Sequence, residues 1–321
     1  MASFLVASTL AYGNWTMLAD GPWAAREGLM AVDTPAGIVM TGGRKTFGAL
    51  ATDDVWRTTN GSAWEELAKA PYKVRAYHAM FYHEGCVFVM GGQTVSFIGN
   101  PFYNDVWKSC DNGESWISLG NAPWTTRAGI AFTTFQGNMV IAGGCYGSSI
   151  GKGRKFLNDV WSSADGNNWK QLTPKAEWSV RSGARLVTFG EKLLIIAGEI
   201  GFTPDTQLGD IWMSDTGKTW SLLTASPGFS KRSGHGVVVA GHQLFVIAGW
   251  HDNKCLHDLW SSSDGISWTM RSNTTWECSK DNCGKFDFWP VVRGNALLTL
   301  GGSNAYSTFG KLWKDTWQMP L

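Results

Sequence analysis

One segment of this chain recurs six times, and this internal repetition narrows the fold more than any other feature. A clear copy begins Arg75-Ala-Tyr-His-Ala-Met-Phe-Tyr and turns at Glu84-Gly85. It then runs from Cys86 to Gly91-Gly92 and continues through Asn104-Asp-Val-Trp107 to Ser109-Cys-Asp-Asn-Gly-Glu-Ser-Trp116. With the leading cation as marker, the copies start at Arg26, Arg75, Arg127, Arg181, Arg232 and Lys285, at spacings of 49, 52, 54, 51 and 53 residues. Units of this size cannot bury a core alone and must stack on one another.

Each unit holds four short apolar or alternating runs separated by Gly, Asn and Asp, the pattern of a four-stranded antiparallel meander with strands a to d. Strand b ends at Gly42-Gly43, Gly91-Gly92, Gly143-Gly144, Ala197-Gly198, Ala248-Gly249 and Gly301-Gly302. Strand c carries Trp56, Trp107, Trp161, Trp212, Trp260 and Trp313; strand d carries Trp64, Trp116, Trp169, Trp220 and Trp268. Four strands in about 50 residues is the size of a propeller blade, so the expected fold is all-β, a six-bladed β-propeller forming one domain over 1–321. The sixth unit stops early, because Trp313 and Trp317 leave no room for a turn and a fourth strand. Gly13-Asn-Trp15-Thr-Met-Leu18 reads as a strand d with no partners before it. Residues 1–20 are therefore expected to complete the C-terminal blade and hide two sheet edges. Met1 to Tyr12 lacks a basic start and is read as part of the fold, not as a signal peptide.

The diglycine closing strand b resembles the kelch repeat of galactose-oxidase-like propellers, largely uncharacterised microbial ones included, over nearly the whole chain. That resemblance implies the fold and little about activity. The turns Ser109–Trp116 and Asp215–Trp220 resemble the Asp-box hairpins of sialidase-like propellers, in which Asp and Gly shape the turn, and they carry over no catalysis. The copper ligands of galactose oxidase, the iron pattern of nitrile-specifier propellers and the Arg-Ile-Pro motif of sialidases find no match. Neither a metal nor a cofactor is expected.

Lys plus Arg number 27 against 26 Asp plus Glu, a net charge of +1 that excludes the basic surplus typical of nucleic-acid binders. No run of about 18 apolar residues is present, so no membrane insertion is expected. Six Cys are too few for a disulfide scaffold. Cys86 is read as a small core residue, and Cys278 with Cys283 as a possible local pair. The compartment is left open.

In a propeller of this kind the b–c and d–a connections share one face, where ligands of kelch-like proteins sit. Trp23, Tyr72, Trp124, Trp178 and Phe229 each stand three residues before an Arg. Five aromatics and the five cations Arg26, Arg75, Arg127, Arg181 and Arg232 are thus expected around one mouth, with a focused positive potential. The residue after strand b differs in every copy: Arg44, Gln93, Cys145, Glu199, Trp250 and Ser303. Rings and guanidinium forks suit a glycan or an acidic peptide, the expected ligand of a monomeric recognition propeller. The rival reading is a sugar epimerase or mutarotase, resembling the kelch-type sialic-acid epimerases, with Glu199 and His251 as the acid–base pair. A third is a protein scaffold.

Overall fold

A computed structural model describes residues 15–45, 51–94, 101–147, 153–273, 275–276, 284–304 and 311–321. The N-terminal stretch to Tyr12, Cys278 and Cys283 lie outside the described residues. Six four-stranded antiparallel sheets follow one another in chain order. The blades comprise β2 to β5 (Met30–Thr34, Gly37–Thr41, Val55–Thr58, Glu65–Glu66) and β6 to β9 (Ala79–His83, Cys86–Met90, Asp105–Ser109, Ile117–Asn121). The third contains β10, β11, β14 and β15 (Ala131–Phe135, Asn138–Ala142, Val160–Ser163, Lys170–Thr173), with an extra hairpin, β12 and β13 (Cys145–Gly147, Arg154–Phe156), in its b–c connection. The fourth is β16 to β19 (Arg185–Phe189, Lys192–Glu199, Gln207–Ser214, Ser221–Thr224), and the fifth β20 to β23 (Gly236–Ala240, Gln243–His251, Lys254–Ser262, Thr269–Ser272). The sixth orders as β1-β26-β25-β24, with β24 and β25 (Trp289–Arg293, Ala296–Leu300), β26 (Asp315–Pro320) and β1 (Thr16–Asp20).

The expected closure is therefore met: Thr16 pairs with Gln318 and Asp20 with Asp315. One detail differs. The third-strand Trp of the last blade is Trp317, two residues after Asp315, and not Trp313. Burial follows distance from the axis. The second strands β3 and β7 are buried throughout because a neighbouring blade covers each face, whereas the outer strand β9 is mostly exposed. Six separate hydrophobic clusters form, one at each junction between adjacent blades, including the junction of blade 6 with blade 1 through Trp23, Leu29 and Leu300.

Two closed rings of backbone hydrogen bonds tie the blades together. The second Gly of each pair donates its N–H to the carbonyl of the next blade's leading cation, from Gly43 to Arg75 at 2.9 Å round to Gly302 and Arg26 at 2.9 Å. This Gly holds a positive φ, and a Cβ on it would press on a carbonyl of its own blade, at 2.9 Å in Gly92 and Gly144. The first position tolerates Ala197 and Ala248 at φ of 53° and 48°. A side chain at the second position would displace the strand that carries the inter-blade bond.

Cys86 sits in the core as expected, but its sulfur is not free: it forms a disulfide with Cys110. The register explains the pair, since Val87 faces Ser109 and the adjoining residues Cys86 and Cys110 are therefore opposite each other.

Because β1 is the outer strand of blade 6 and Trp15 packs in the junction with blade 5, deleting residues 1–20 is expected to lower the melting temperature by several degrees and to promote association through the exposed β26 edge. Differential scanning fluorimetry with light scattering checks this, and an unchanged profile would contradict the closure.

Candidate functional site

The five repeated Arg side chains are buried and already paired, which corrects their expected place as a cationic ring open to ligand. Arg127 grips Asp159 in a two-pronged contact, Nη1 to Oδ1 and Nη2 to Oδ2, both at 2.7 Å. Its Nη1 also donates to the Gly143 carbonyl at 2.9 Å, and its Nε to the Thr125 carbonyl at 3.0 Å. The other side of the same carboxylate accepts the Trp161 indole N–H at 2.8 Å. Arg26 with Asp54, Arg75 with Asp105, Arg181 with Asp210 and Arg232 with Asp258 repeat the arrangement. Lys285 makes the sixth node with Asp315 through Nζ at 2.6 and 2.7 Å. Each positive charge is cancelled inside its own blade, so the repeat supplies no focused positive field. The signal was present in the sequence, because Asp-x-Trp recurs with the same period as the Arg.

The aromatics Trp23, Tyr72, Trp124, Trp178 and Phe229 are buried too, 1% to 5% exposed, and this corrects their expected role as open stacking platforms. Each wedges edge-on against the Trp residues of its blade, as Trp23 does on Trp64 with centroids 4.5 Å apart. A sixth member escaped the three-residue spacing. Trp276 lies nine residues before Lys285 in a lengthened connection, yet packs against Trp15 at 5.8 Å and under the Lys285 ammonium at 5.0 Å.

The residues following strand b lie against the starts of the inner strands. Each forms an isolated bridge with the residue after the leading cation: Glu27 with Arg44, Ala76 with Gln93, Ala128 with Cys145, Ser182 with Glu199, Ser233 with Trp250 and Phe286 with Ser303. Arg44 is only partly covered and ion-pairs with Glu27. Gln93, Cys145, Glu199 and Trp250 are buried. Glu199 accepts from the Ser233 hydroxyl at 2.9 Å. His251 follows Trp250 on one strand, where successive side chains face opposite sides. It looks outward to a hollow of about 550 Å3 between blades 4 and 5, lined with Asp205, Phe229, Lys231 and Asp252 among others. Glu199, expected to act with His251 as an acid–base pair, is not among the residues lining that hollow and is buried against Ser233.

Sequence reasoning missed a cluster standing on the b–c connections. The Arg154 guanidinium lies 4.9 Å from the ring centroids of both Phe102 and Phe202, which come from blades 2 and 4. Its Nη1 donates to Gln93 Oε1 at 3.1 Å, and its Nε has no partner among the described residues. Phe202 and Ile200 are 44% and 43% exposed.

A family model described as the KLHDC2/KLHL20/DRC7 Kelch-repeats domain matches residues 28–249. The chain belongs to the Kelch-repeat family. Kelch-like protein 23 of Mus musculus is 25% identical over 248 residues, covering 75% of this chain and 40% of that protein; the chain thus spans well under half of that relative's length. The solved structure of YjhT superposes with a TM-score of 0.72 at 18% identity, covering 94% of this chain and 96% of that one, a likeness of fold.

Against the regular Kelch framework, the axis stands out. The residue two after each leading cation adopts a positive φ, and four of the six are Gly: Gly28, Gly129, Gly183 and Gly234. The other two are Tyr77 at φ 57° and Asp287 at φ 53°, a costly backbone for both types. These six residues form the second ring: each N–H donates to the preceding member's carbonyl, from Tyr77 to Gly28 at 2.9 Å round to Gly28 and Asp287 at 2.8 Å. The Tyr77 hydroxyl donates to Glu27 Oε1 at 3.1 Å. Burial, then the Glu27 charge, pushes the Asp287 carboxyl up to about 7 against the pull of Arg185 and Arg44. The signal for this site was the loss of Gly at two of six equivalent positions. No cluster of three or more His, Cys, Asp or Glu able to hold a metal occurs among the described residues, and no helix of the described chain is long and apolar enough to cross a membrane.

The blade carboxylates set the response to acid. Burial raises the Asp54 carboxyl, but the hydrogen bonds and charge of Arg26 and the Trp56 indole outweigh it and leave it at about 2. Asp105, Asp210 and Asp258 are held below their ordinary 3.8 by the same balance. A carboxyl depressed in the folded state adds stability above its unfolded pKa and loses it as pH falls through the folded value. The melting temperature should therefore drop steeply between about pH 4 and about pH 2, followed by calorimetry; a flat profile there would contradict the pairing.

Proposed function

We propose that this Kelch propeller is a recognition module that holds an acidic peptide segment of a partner protein across the b–c connections of blades 2 to 4. The supporting observation is Arg154, a guanidinium stacked between Phe102 and Phe202 with no carboxylate partner among the described residues. Arg and aromatic side chains in such company are the residue types that anchor protein interfaces. Their position also suits the purpose. The rings fix the plane of the guanidinium, so its fork is pre-organised for a carboxylate and loses less freedom on binding. Exposed Ile200 and Phe202 extend an apolar surface beside that charge, and exposed Lys155 on the β12–β13 hairpin adds a second cation. Membership of the Kelch family supports a binding role, and the mouse relative belongs to the same class of repeat. The acid-rich character of the ligand rests on Arg154 and Lys155, since the periodic Arg residues are committed to the blades.

A peptide array probed with the full chain, followed by calorimetric titration of the strongest acidic peptide, tests the reading. Arg154→Ala and Phe202→Ala should each weaken that peptide by about 1 to 3 kcal/mol and leave the melting temperature within a degree or two. Full affinity in both variants would place recognition elsewhere.

A further inference from the structure

The centre of the ring carries a second arrangement that peptide recognition does not use. Arg185 enters the axial channel from blade 4, at a position occupied by Met30, Ala79, Ala131, Gly236 and Trp289 in the other blades. Its guanidinium lies over the Trp289 ring at 4.8 Å. Phe132 of blade 3, across the ring from the blade that carries Trp289, stacks on Trp289 with centroids 5.2 Å apart and planes 7° from parallel. Nε of Arg185 donates to the His235 carbonyl at 2.7 Å. Its two Nη groups have no hydrogen-bond or ion-pair partner among the described residues, although the side chain is only partly exposed.

We propose that the mouth end of this channel binds one small, planar, singly charged oxyanion, held by the Nη groups of Arg185 beside Asp287. The site is independent of the Arg154 reading. Planarity follows from the fork of a guanidinium fixed by its stack, which matches two oxygens in one plane. The single charge follows from the charges facing Asp287. Arg44 and Glu27 are ion-paired and cancel; Tyr77 is neutral, since burial raises its hydroxyl well above the ordinary value. Burial likewise pushes the Cys255 thiol up, with the Asp287 and Glu27 charges adding to the effect. What remains is Arg185 against Asp287. When Asp287 is ionised it is the channel's own counter-ion; when it is protonated, Arg185 is one charge in excess and Asp287 becomes a hydrogen-bond donor. Burial of Arg185, lowering it to about 10, makes an unneutralised state unfavourable and an external anion welcome.

Acetate is a suitable probe because it stays a monoanion throughout the interval in which Asp287 titrates. At constant ionic strength the full chain should show saturable binding of acetate by calorimetry and by thermal shift. Affinity should fall about tenfold from about pH 6 to about pH 8, the ratio of protonated fractions for a group titrating near 7. Asp287→Asn keeps the donor and suits the left-handed backbone, so it should bind acetate equally at both pH values. Arg185→Gln should weaken acetate at least about tenfold, while Arg154→Ala leaves it unchanged. The proposal fails if the wild-type chain shows no saturable acetate effect at the lower pH, if Asp287→Asn keeps the pH dependence, or if folded Arg185→Gln binds as wild type does.

Discussion

The bidentate ion pair between the cation leading each inner strand and the Asp two residues before each third-strand Trp connects more of the molecule than any other contact. In blade 3 one Arg127 side chain reaches Asp159 of strand β14, the Gly143 carbonyl at the end of β11 and the Thr125 carbonyl of the incoming connection. The Arg127 carbonyl accepts the N–H of Gly92 from the preceding blade. The start of a blade, its second and third strands and its neighbour are thus fixed by one buried residue. A buried pair of this kind adds little over an apolar substitute of equal shape, but a broken one leaves a charge stranded. Its effect is therefore to make wrong packing costly and to impose one geometry six times.

Symmetry of this strength leaves function to the departures from it. The diglycine, the wedge aromatics and the Arg–Asp–Trp nodes recur because every blade needs them. Several of the differences between blades lie on the b–c face and along the axis: the β12–β13 hairpin with Arg154, the Phe102 and Phe202 rings, and the Tyr77 and Asp287 substitutions in the axial ring. The hydrogen-bonded rings hold these groups on a rigid base, so that their positions are set before a ligand arrives.

Period, strand count and closure were legible because repetition at a fixed length, with turn residues at fixed offsets, reports on local chain geometry. The side-chain roles were less so. A cation every 50 residues looks the same whether it faces solvent or an Asp 26 to 32 residues away, and only the parallel recurrence of Asp-x-Trp distinguishes the two. Trp276 was hidden because an enlarged connection moved it from three to nine residues before its cation. Cys110 was passed over because its pairing with Cys86 depends on cross-strand register, which neither residue's neighbours announce. Arg154 and Arg185 carry no motif at all: what sets them apart is that, among the described residues, no carboxylate is hydrogen-bonded to either guanidinium, a property of the folded chain.

A double-mutant cycle on Arg127 and Asp159, followed by chemical denaturation, tests most directly whether the repeated cations belong to the framework. If they do, Arg127→Met and Asp159→Leu alone should each cost about 3 to 5 kcal/mol, and the double variant should recover much of that loss, because no charge is left buried without a partner. Additive losses, or an Arg127→Met variant of wild-type stability, would contradict the account and return Arg127 to the solvent-facing mouth.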